Sequence, residues 1–180
     1  MRFIGLDIPG AYRIEAEPVE DERGYFARWY DGEEFASRGL EPTDIQGAVS
    51  HNTHCATLRG LHFIPEADGE AKLVRCIRGR IFDVVVDLRT LSDTFGKWIG
   101  LELSAQSYTA LYVPRGCAHG FVTLGDDVDI AYQFSMPYRA GIETGIRWDD
   151  PDIGIKWPID PVIMSDRDRY LPLLKELLVC

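Results

Sequence analysis

The sequence predicts an all-β domain, a sandwich or barrel with short flanking helices, and two observations support this class. From Gln46 onward, short segments rich in β-branched and aromatic residues alternate with Gly, Pro, Asp and Ser. Regular spacing of this kind is typical of sandwiches and barrels. The chain has 180 residues, long enough for one well-buried core and short for two. We therefore predict a single domain over residues 1–180.

The N-terminal region predicts three small elements. Phe3 to Glu17 alternates weakly between apolar and polar residues, which indicates an edge strand or a paired N-terminal arm. Asp21 to Phe26 is predicted to form a turn that carries an arginine and two aromatic residues. Asp31 to Arg38 predicts a short helix with Asp31 or Gly32 at its cap, and Gly39 is expected to end it.

Strands dominate the middle of the chain, and a short amphipathic helix is predicted around Leu171 to Leu178. The predicted strands after Gln46 include Leu73 to Ile77, Ile81 to Leu88, Lys97 to Leu103, Ala110 to Val113, Phe121 to Leu124 and Ile130 to Ser135. Within Ile81 to Leu88, alternation directs Phe82, Val84 and Val86 to one side and Asp83 and Asp87 to the other. We expect the first side to be core and the second to be wet or polar.

Composition and charge exclude several classes of protein. An apolar fraction of 46% and an aromatic fraction of 11% exclude a disordered chain. A net charge of -10 argues against nucleic-acid binding, although a small anionic ligand could bind in a local basic pocket. Four cysteines without CxxC spacing predict reduced thiols and a cytoplasmic protein. Neither a secretion signal nor a membrane segment is expected, because the uncharged run from Leu103 to Pro114 is too short to span a bilayer.

Two histidine-bearing stretches, LRGLHF at 58–63 and PRGCAHGF at 114–121, are predicted to line one cavity. Each places a histidine beside glycine and aromatic residues, where a buried imidazole needs a polar partner. A metal site is not predicted, because the stretch around His62 lacks a second, closely spaced histidine. A set of His62, His119 and a glutamate stays open as a metal-binding alternative.

Many motifs spaced along the chain resemble the dTDP-4-dehydrorhamnose 3,5-epimerase family. They are DERGYF at 21–26, LRGLHF at 58–63, AKLVRC at 71–76, GRIFDVVVDLR at 79–89, VPRGCAHGF at 113–121, Tyr132, GIRWDDP at 145–151, IKWP at 155–158 and SDRD at 165–168. The resemblance implies a cupin-type jelly roll, usually a homodimer that exchanges N-terminal strands. It also implies a nucleotide-linked 4-keto-6-deoxy sugar as substrate and no metal or organic cofactor.

The reaction implied by the resemblance needs a base and an acid on opposite ring faces, because a C4 ketone makes the C3 and C5 hydrogens acidic. His62 is the candidate base. The resemblance assigns Asp168 to hold the other nitrogen of that ring. Tyr132 has the parity of Ile130 and Phe134, so it should face inward as the acid. The alternative is a core tyrosine whose hydroxyl binds a backbone carbonyl.

Two cationic residues are also candidates. Lys72 has the parity of Val74 and Cys76, which predicts an inward lysine that pairs with an enolate or a carboxylate. The alternative places Lys72 at a strand start, where its amine reaches solvent. Arg59 and His62 are three residues apart, which ideal alternation sends to opposite faces, but a bulge or bend at Gly60 would let both reach one cavity. Arg59 would then bind the diphosphate or the enolate.

The resemblance implies further substrate-binding residues. His119 would line the sugar pocket, and Glu143 would lie close to the substrate. The nucleotide diphosphate would be held by Arg23, Phe26 and Arg167, with polar contacts nearby from Gln46, Ser50 and Asn52. Tyr138 would stack on the base.

Several functional alternatives stay open. The same base and acid serve inversion at C3, C5 or both, so single-site epimerisation is one of them. A metal-dependent cupin and a non-catalytic sugar-binding cupin are the others. Ile64 and Arg28 depart from the family pattern near the nucleotide, so the carrier nucleotide is also open.

Overall fold

The computed structural model describes residues 1–178, and within this range the chain forms two antiparallel β-sheets packed face to face. The strands are β1 Arg2–Gly5, β2 Tyr12–Glu15, β3 Val19–Asp21, β4 Gly24–Phe26, β5 Gln46–Asn52, β6 Leu58–Phe63, β7 Lys72–Arg78, β8 Arg80–Asp87, β9 Trp98–Ser104, β10 Thr109–Val113, β11 Cys117–Thr123, β12 Val128–Phe134 and β13 Thr144–Gly145. The helices are α1 Gly32–Ser37, α2 Asp166–Arg169 and α3 Leu174–Leu177, with a 3-10 turn at Glu66–Asp68.

The sheets contain six and five strands and enclose one core. Their orders are β1-β2-β10-β7-β12-β5 and β13-β6-β11-β8-β9. Val74, Leu111 and Ile130 from the first sheet pack against Val85 and Phe121 from the second. A third, two-stranded sheet, β3-β4, stands apart from both. This architecture confirms the predicted all-β sandwich with short flanking helices.

The N-terminal predictions are confirmed with two refinements. The predicted turn lies at Glu22 and Arg23, and the rest of Asp21 to Phe26 belongs to strands β3 and β4. Phe3 to Glu17 is a hairpin, in which β1 forms the edge of the six-stranded sheet and β2 pairs with β10. Helix α1 begins after Asp31, whose carboxylate accepts hydrogen bonds from the backbone N–H groups of Glu33 and Glu34. The helix ends before Gly39, which has φ +71°. It covers the outer face of the six-stranded sheet by burying Phe35.

Strand β8 has an apolar side and a side that carries two aspartates, as expected, but neither side is wet. Phe82, Val84 and Val86 lie on the outer face of the five-stranded sheet, where the C-terminal segment covers them with Ile146 and Trp157. Asp83 and Asp87 point into the sandwich and are fully buried. The aspartates therefore belong to the interior, which is where the polar cavity lies.

At the C-terminal end, helix α3 is shorter than predicted and covers only Leu174–Leu177. Cys180, one of the four cysteines, lies outside the described residues, whereas Cys55, Cys76 and Cys117 are free thiols. Within residues 1–178, no helix is both long and apolar enough to cross a membrane.

Candidate active site

A cavity of about 620 Å³ opens between the two sheets and is closed on one side by the C-terminal segment. Its walls come from β5, β7 and β12 of the six-stranded sheet and from β6 and β11 of the five-stranded sheet. The lining residues are Ala48, Val49, Ser50, Thr57, Leu58, Arg59, His62, Lys72, His119, Tyr132, Phe134, Glu143, Ile163, Met164, Ser165, Arg167 and Asp168. The volume suits a small-molecule ligand.

A bulge at Gly60 places both Arg59 and His62 on the cavity wall. Arg59 pairs with Phe121 and His62 with His119, so two residues of β6 oppose Gly120 alone. Gly60 has φ +117°, and a Cβ atom there would lie 2.6 Å from the Cα atom of Gly120. The predicted bulge is therefore confirmed, and only glycine fits it.

His62 is held by Asp168, a residue 106 positions further along the chain. Its Nε2 atom lies 2.6 Å from Oδ1 of Asp168, while the N–H of Gly60 donates to Oδ2 at 3.3 Å. Burial alone would raise the pKa of Asp168. The hydrogen bond and charge of His62 have the opposite effect, to which the donors of Gly60 and Ser165 add, and together they outweigh burial, so the pKa of Asp168 lies below its usual range. Asp168 is therefore an anion that accepts Nε2–H, which leaves Nδ1 of a neutral His62 free to accept a proton.

Tyr132 faces the same cavity from the opposite sheet, on β12, with the inward parity that the sequence predicts. Its ring stacks on Phe134 at 5.8 Å and meets the ring of His119 edge-on at 6.0 Å. In the described part of the chain, its hydroxyl has no protein partner, so the alternative of a backbone-bonded core tyrosine is not what this structure contains. Burial, together with the charge of Asp83, raises the pKa of Tyr132 far above its usual value, so the phenol keeps its proton.

His119 forms a second histidine–aspartate pair inside the sandwich. Its Nε2 atom lies 2.7 Å from Oδ1 of Asp83 on the neighbouring strand β8. His119 is 5% exposed and Asp83 is fully buried. Burial raises the pKa of Asp83, and the charge and hydrogen bond of His119 oppose that rise only in part.

Lys72 is buried on β7 between two carboxylates, as its inward parity predicts. Its Nζ atom lies 3.4 Å from Oε1 of Glu70 and 3.9 Å from Oε1 of Glu143. Glu143 also accepts a hydrogen bond from Arg167 at 2.9 Å. The alternative in which Lys72 extends to solvent is thus wrong, because its side chain is only 7% exposed. This network places two cations at the cavity wall.

Asn52 holds the side chain of Arg59 by a hydrogen bond. The Nε atom of Arg59 donates to Oδ1 of Asn52 at 2.7 Å and its Nη2 atom to the carbonyl of His51 at 3.3 Å. Asn52 is buried and does not line the cavity, so in this structure it orients Arg59. Ser50, on the same strand as Asn52, lies at the cavity wall.

Besides Asn52, four of the predicted substrate-binding residues do not line the cavity of their own chain: Arg23, Phe26, Gln46 and Tyr138. Arg23 and Phe26 belong to the separate β3–β4 hairpin, where Phe26 is 76% exposed and Arg23 pairs with Asp21. Tyr138 is 75% exposed, and its backbone N–H donates to Oε1 of Gln46 at 2.6 Å. The hairpin pairs with neither main sheet, and nothing in the described chain folds it over the cavity.

Two buried acids near the cavity are absent from the sequence prediction of the site. Asp83 pairs with His119, and Glu70 pairs with Lys72. For Asp83 a signal existed: Ile81 and Val85 have the same parity, and both are apolar residues of the kind that fill a core. An acid that shares a face with such residues indicates an interior group.

Over residues 1–178, no group of three or more His, Cys, Asp and Glu side chains is arranged to hold a metal ion. His62 and His119 face the same cavity, but each is engaged through Nε2 by its own aspartate. The open alternative of a His62, His119 and glutamate metal set finds no support in this geometry.

Comparison with known proteins gives one consistent result. A model of the dTDP-4-dehydrorhamnose 3,5-epimerase family matches residues 5–176. The protein of that name from Methanothermobacter thermautotrophicus is 44% identical, and the match covers 97% of this chain and 95% of the relative. The crystal structure of the Elizabethkingia anophelis protein of that name is 38% identical, with a TM-score of 0.93 over 98% of this chain and 97% of the other.

A third relative is described as an epimerase of one position only. The structure of a 3'-monoepimerase from Streptomyces bikiniensis in complex with dTDP-quinovose is 36% identical, with a TM-score of 0.89 over 98% of this chain and 90% of the other. These likenesses also confirm the predicted cupin-type sandwich. With a family match over nearly the full length, together with this cavity, the chain belongs to the dTDP-4-dehydrorhamnose 3,5-epimerase family.

Proposed function

We propose that this epimerase inverts C3, C5 or both in a nucleotide-linked 4-keto-6-deoxyhexose, with dTDP-4-keto-6-deoxyglucose as the first candidate, in deoxysugar biosynthesis. The observation that carries the proposal is that His62 and Tyr132 reach one cavity from opposite sheets. Inversion needs proton removal on one face of the sugar ring and delivery on the other. Groups on facing walls meet that requirement.

His62 is the proposed base and Asp168 its partner. Because the Asp168 anion holds Nε2–H, the lone pair on Nδ1 can take the C3 or C5 proton. The imidazolium that forms is then stabilised by the same carboxylate. This arrangement supports the role of His62 as the base.

Tyr132 is the proposed acid. Its raised pKa keeps the phenol protonated, so it can deliver a proton to the enolate carbon from the opposite side. Lys72 is proposed to stabilise the enolate electrostatically, since its ammonium lies at the cavity wall in a mostly buried setting.

The nucleotide diphosphate is proposed to bind at the arginines. Arg59 and Arg167 line the cavity, and Ser50 and Glu143 lie beside them. A chain of net charge -10 would otherwise repel a diphosphate, so these local cations support binding of an anionic ligand. In the described chain Arg167 donates to Glu143 through Nη2 only, which leaves its Nε and Nη1 donors for phosphate.

We further propose a homodimer of single-domain subunits spanning residues 1–180, in which each β3–β4 hairpin reaches the partner's cavity. Val19 is 72% exposed and Phe26 is 76% exposed, so apolar side chains of this hairpin face water in the single chain. Exposed apolar surface of this kind is typical of a protein–protein interface. Arg23 and Phe26 would then contact the nucleotide in the partner's site, with Gln46 and Tyr138 near the base. A cytoplasmic location is proposed as well, which the free thiols of Cys55, Cys76 and Cys117 support.

Proton NMR of dTDP-4-keto-6-deoxyglucose in deuterated water tests this function, since exchange at C3 and C5 is read separately. Exchange at both positions supports 3,5-epimerisation, and exchange at C3 alone supports a single-site enzyme, as the 3'-monoepimerase relative suggests. Silence at both would contradict the proposal for this nucleotide sugar. Full activity after dialysis against a chelator would support the proposed independence from metal.

A further inference from the structure

The buried Asp83–His119 pair has no part in the reaction outlined above, yet it borders the same cavity. Nε2 of His119 lies 2.7 Å from Oδ1 of Asp83, and the carboxylate is fully buried. Among residues 1–178, no donor reaches Oδ2 of Asp83. No hydrogen bond within the described chain engages Nδ1 of His119, a side chain that lines the cavity. Nδ1 is thus the atom this pair can offer to a ligand.

The unpartnered oxygen decides how many protons the pair holds. A buried carboxylate beside a neutral imidazole would leave a net negative charge with one oxygen unsatisfied, which is a costly arrangement. One further proton makes the pair neutral. That proton would not remain on Oδ2, since no acceptor in the described part of the chain lies within hydrogen-bond distance of this atom. It therefore lies between Oδ1 and Nε2 or completes an imidazolium, and in both cases Nδ1 carries a hydrogen.

We propose that Asp83 is a positioning residue that keeps a hydrogen on Nδ1 of His119, so that this atom donates a hydrogen bond to the substrate's C4 oxygen as the enolate forms. The inference rests on the proposed function. His119 is the register partner of His62, so a donor on His119 lies next to the base. C3 and C5 are both bonded to C4. When His62 is within reach of the hydrogen on either carbon, the C4 oxygen therefore lies near the residues next to His62. A preorganised donor at that oxygen stabilises the charge that develops there.

The two histidine–aspartate pairs thus have opposite proton states. Asp168 is satisfied by Gly60 as well as by His62, so it can stay an anion beside a neutral ring whose Nδ1 accepts. Within residues 1–178 Asp83 is bonded by His119 only, so its pair takes up a proton and Nδ1 donates. Similar side chains on adjacent strands therefore serve as acceptor and donor.

Nitrogen NMR of the wild-type protein, labelled with 15N-histidine and free of substrate, tests the protonation directly. At pH 7.5 we expect Nδ1 of His119 to carry a hydrogen and Nδ1 of His62 to show a free lone pair. Asp83→Asn should remove the fixed state of His119. Asp129→Asn, at the exposed His51–Asp129 pair, is the matched control and should alter only the His51 signals. A free lone pair on Nδ1 of wild-type His119 at pH 7.5 would overturn the proposal.

Kinetics test the role in the reaction. Asp83→Asn should lower kcat by about 100-fold and leave KM nearly unchanged, which is the pattern for a lost transition-state donor. In a His119→Asn background, the amide N–H takes the place of Nδ1–H without needing Asp83. Adding Asp83→Asn there should cause no further loss, whereas equal losses in both backgrounds would show a merely structural role.

The two proposals fail in distinguishable ways. Absence of exchange with the wild-type enzyme would refute the proposed function and with it the role at the enolate oxygen, whereas the nitrogen spectra decide the proton state without any substrate. Normal wild-type exchange combined with an unprotonated Nδ1 on His119 would refute this inference alone.

Discussion

His62 and His119 are direct register partners on β6 and β11, and each is bonded through Nε2 to a buried aspartate from another element. The pairing brings two imidazoles to one wall of the cavity with their Nδ1 atoms free of protein partners in the described chain. Tyr132 faces them from the other sheet. The sandwich therefore supplies both sides of a proton-transfer site from rigid strands.

Loss of the base should slow proton removal sharply. We expect His62→Ala to lower exchange at both C3 and C5 by about 10²–10⁴-fold, because no other free imidazole Nδ1 with an anionic partner faces the cavity in the described chain. Deuterium incorporation followed by NMR measures this. His51→Ala is the control, since His51 is half-exposed and lies outside the cavity lining, and its exchange rates should match the wild type. Retained exchange in His62→Ala would assign the base elsewhere.

Loss of the acid should separate exchange from inversion. Tyr132→Phe keeps the ring that stacks on Phe134 but removes the hydroxyl, so His62 can still abstract a proton and return deuterium to the same face. We expect measurable exchange at C3 or C5 with most net inversion lost, as read by NMR of substrate and product together. If Tyr132→Phe lost exchange as completely as His62→Ala, separate base and acid roles would be wrong.

The glycine in the β6 bulge should be essential for both stability and activity. A Cβ atom at Gly60 would lie 2.7 Å from the carbonyl oxygen of His119, at a φ of +117°. Gly60→Ala should therefore destabilise the fold by about 1–3 kcal/mol and displace Arg59 and His62. Urea denaturation and exchange kinetics measure the two effects. Gly125→Ala, where a Cβ atom meets open space, should stay within about 0.5 kcal/mol of the wild type.

Asp87 should make a pH-dependent contribution to stability. Burial alone would raise the pKa of Asp87, but hydrogen bonds from Arg89, Ser92 and Thr94 outweigh it and hold this pKa well below its usual range. A lowered folded-state pKa gives stabilisation that is full above the unfolded value of about 3.9 and is lost as pH falls through the folded value. Asp87→Asn should therefore cost about 3–5 kcal/mol at neutral pH.

Urea titrations of the wild type and Asp87→Asn between pH 8 and pH 3 measure this contribution. The gap in unfolding free energy should be constant down to about pH 5 and shrink below about pH 4. The half-exposed Arg147–Asp149 pair provides the matched control, and Asp149→Asn should cost about 0–1 kcal/mol. A gap that widened as the solution became more acidic would refute the assigned direction.

The proposed exchange of hairpins can be tested by mixing two inactive variants. Arg23→Ala combined with Phe26→Ala removes the hairpin contacts, and His62→Ala removes the base. If each hairpin serves the partner's cavity, co-expressed heterodimers contain one intact site, and a statistical mixture should recover about a quarter of wild-type activity. Hairpins that serve their own cavity, or a monomer in sedimentation equilibrium, would leave the mixture inactive and contradict the proposal.

Local pattern determined much of this protein. The strand periodicity predicted an all-β sandwich or barrel, and Asp31 and Gly39 marked the ends of α1. Alternation along the strands predicted that Lys72 and Tyr132 point inward. Gly60 indicated the bulge that brings Arg59 beside His62. These features follow from backbone geometry within a few residues, which is why they are visible in the chain itself.

Tertiary packing decided the rest. Alternation separates the two faces of β8 but does not say what covers each, so the burial of Asp83 became clear only when the second sheet closed over it. The contact between His62 and Asp168 spans 106 residues and depends on where the C-terminal segment returns to the cavity. A period-two pattern has no information about distant partners, and it is those partners that determine the proton state of each histidine.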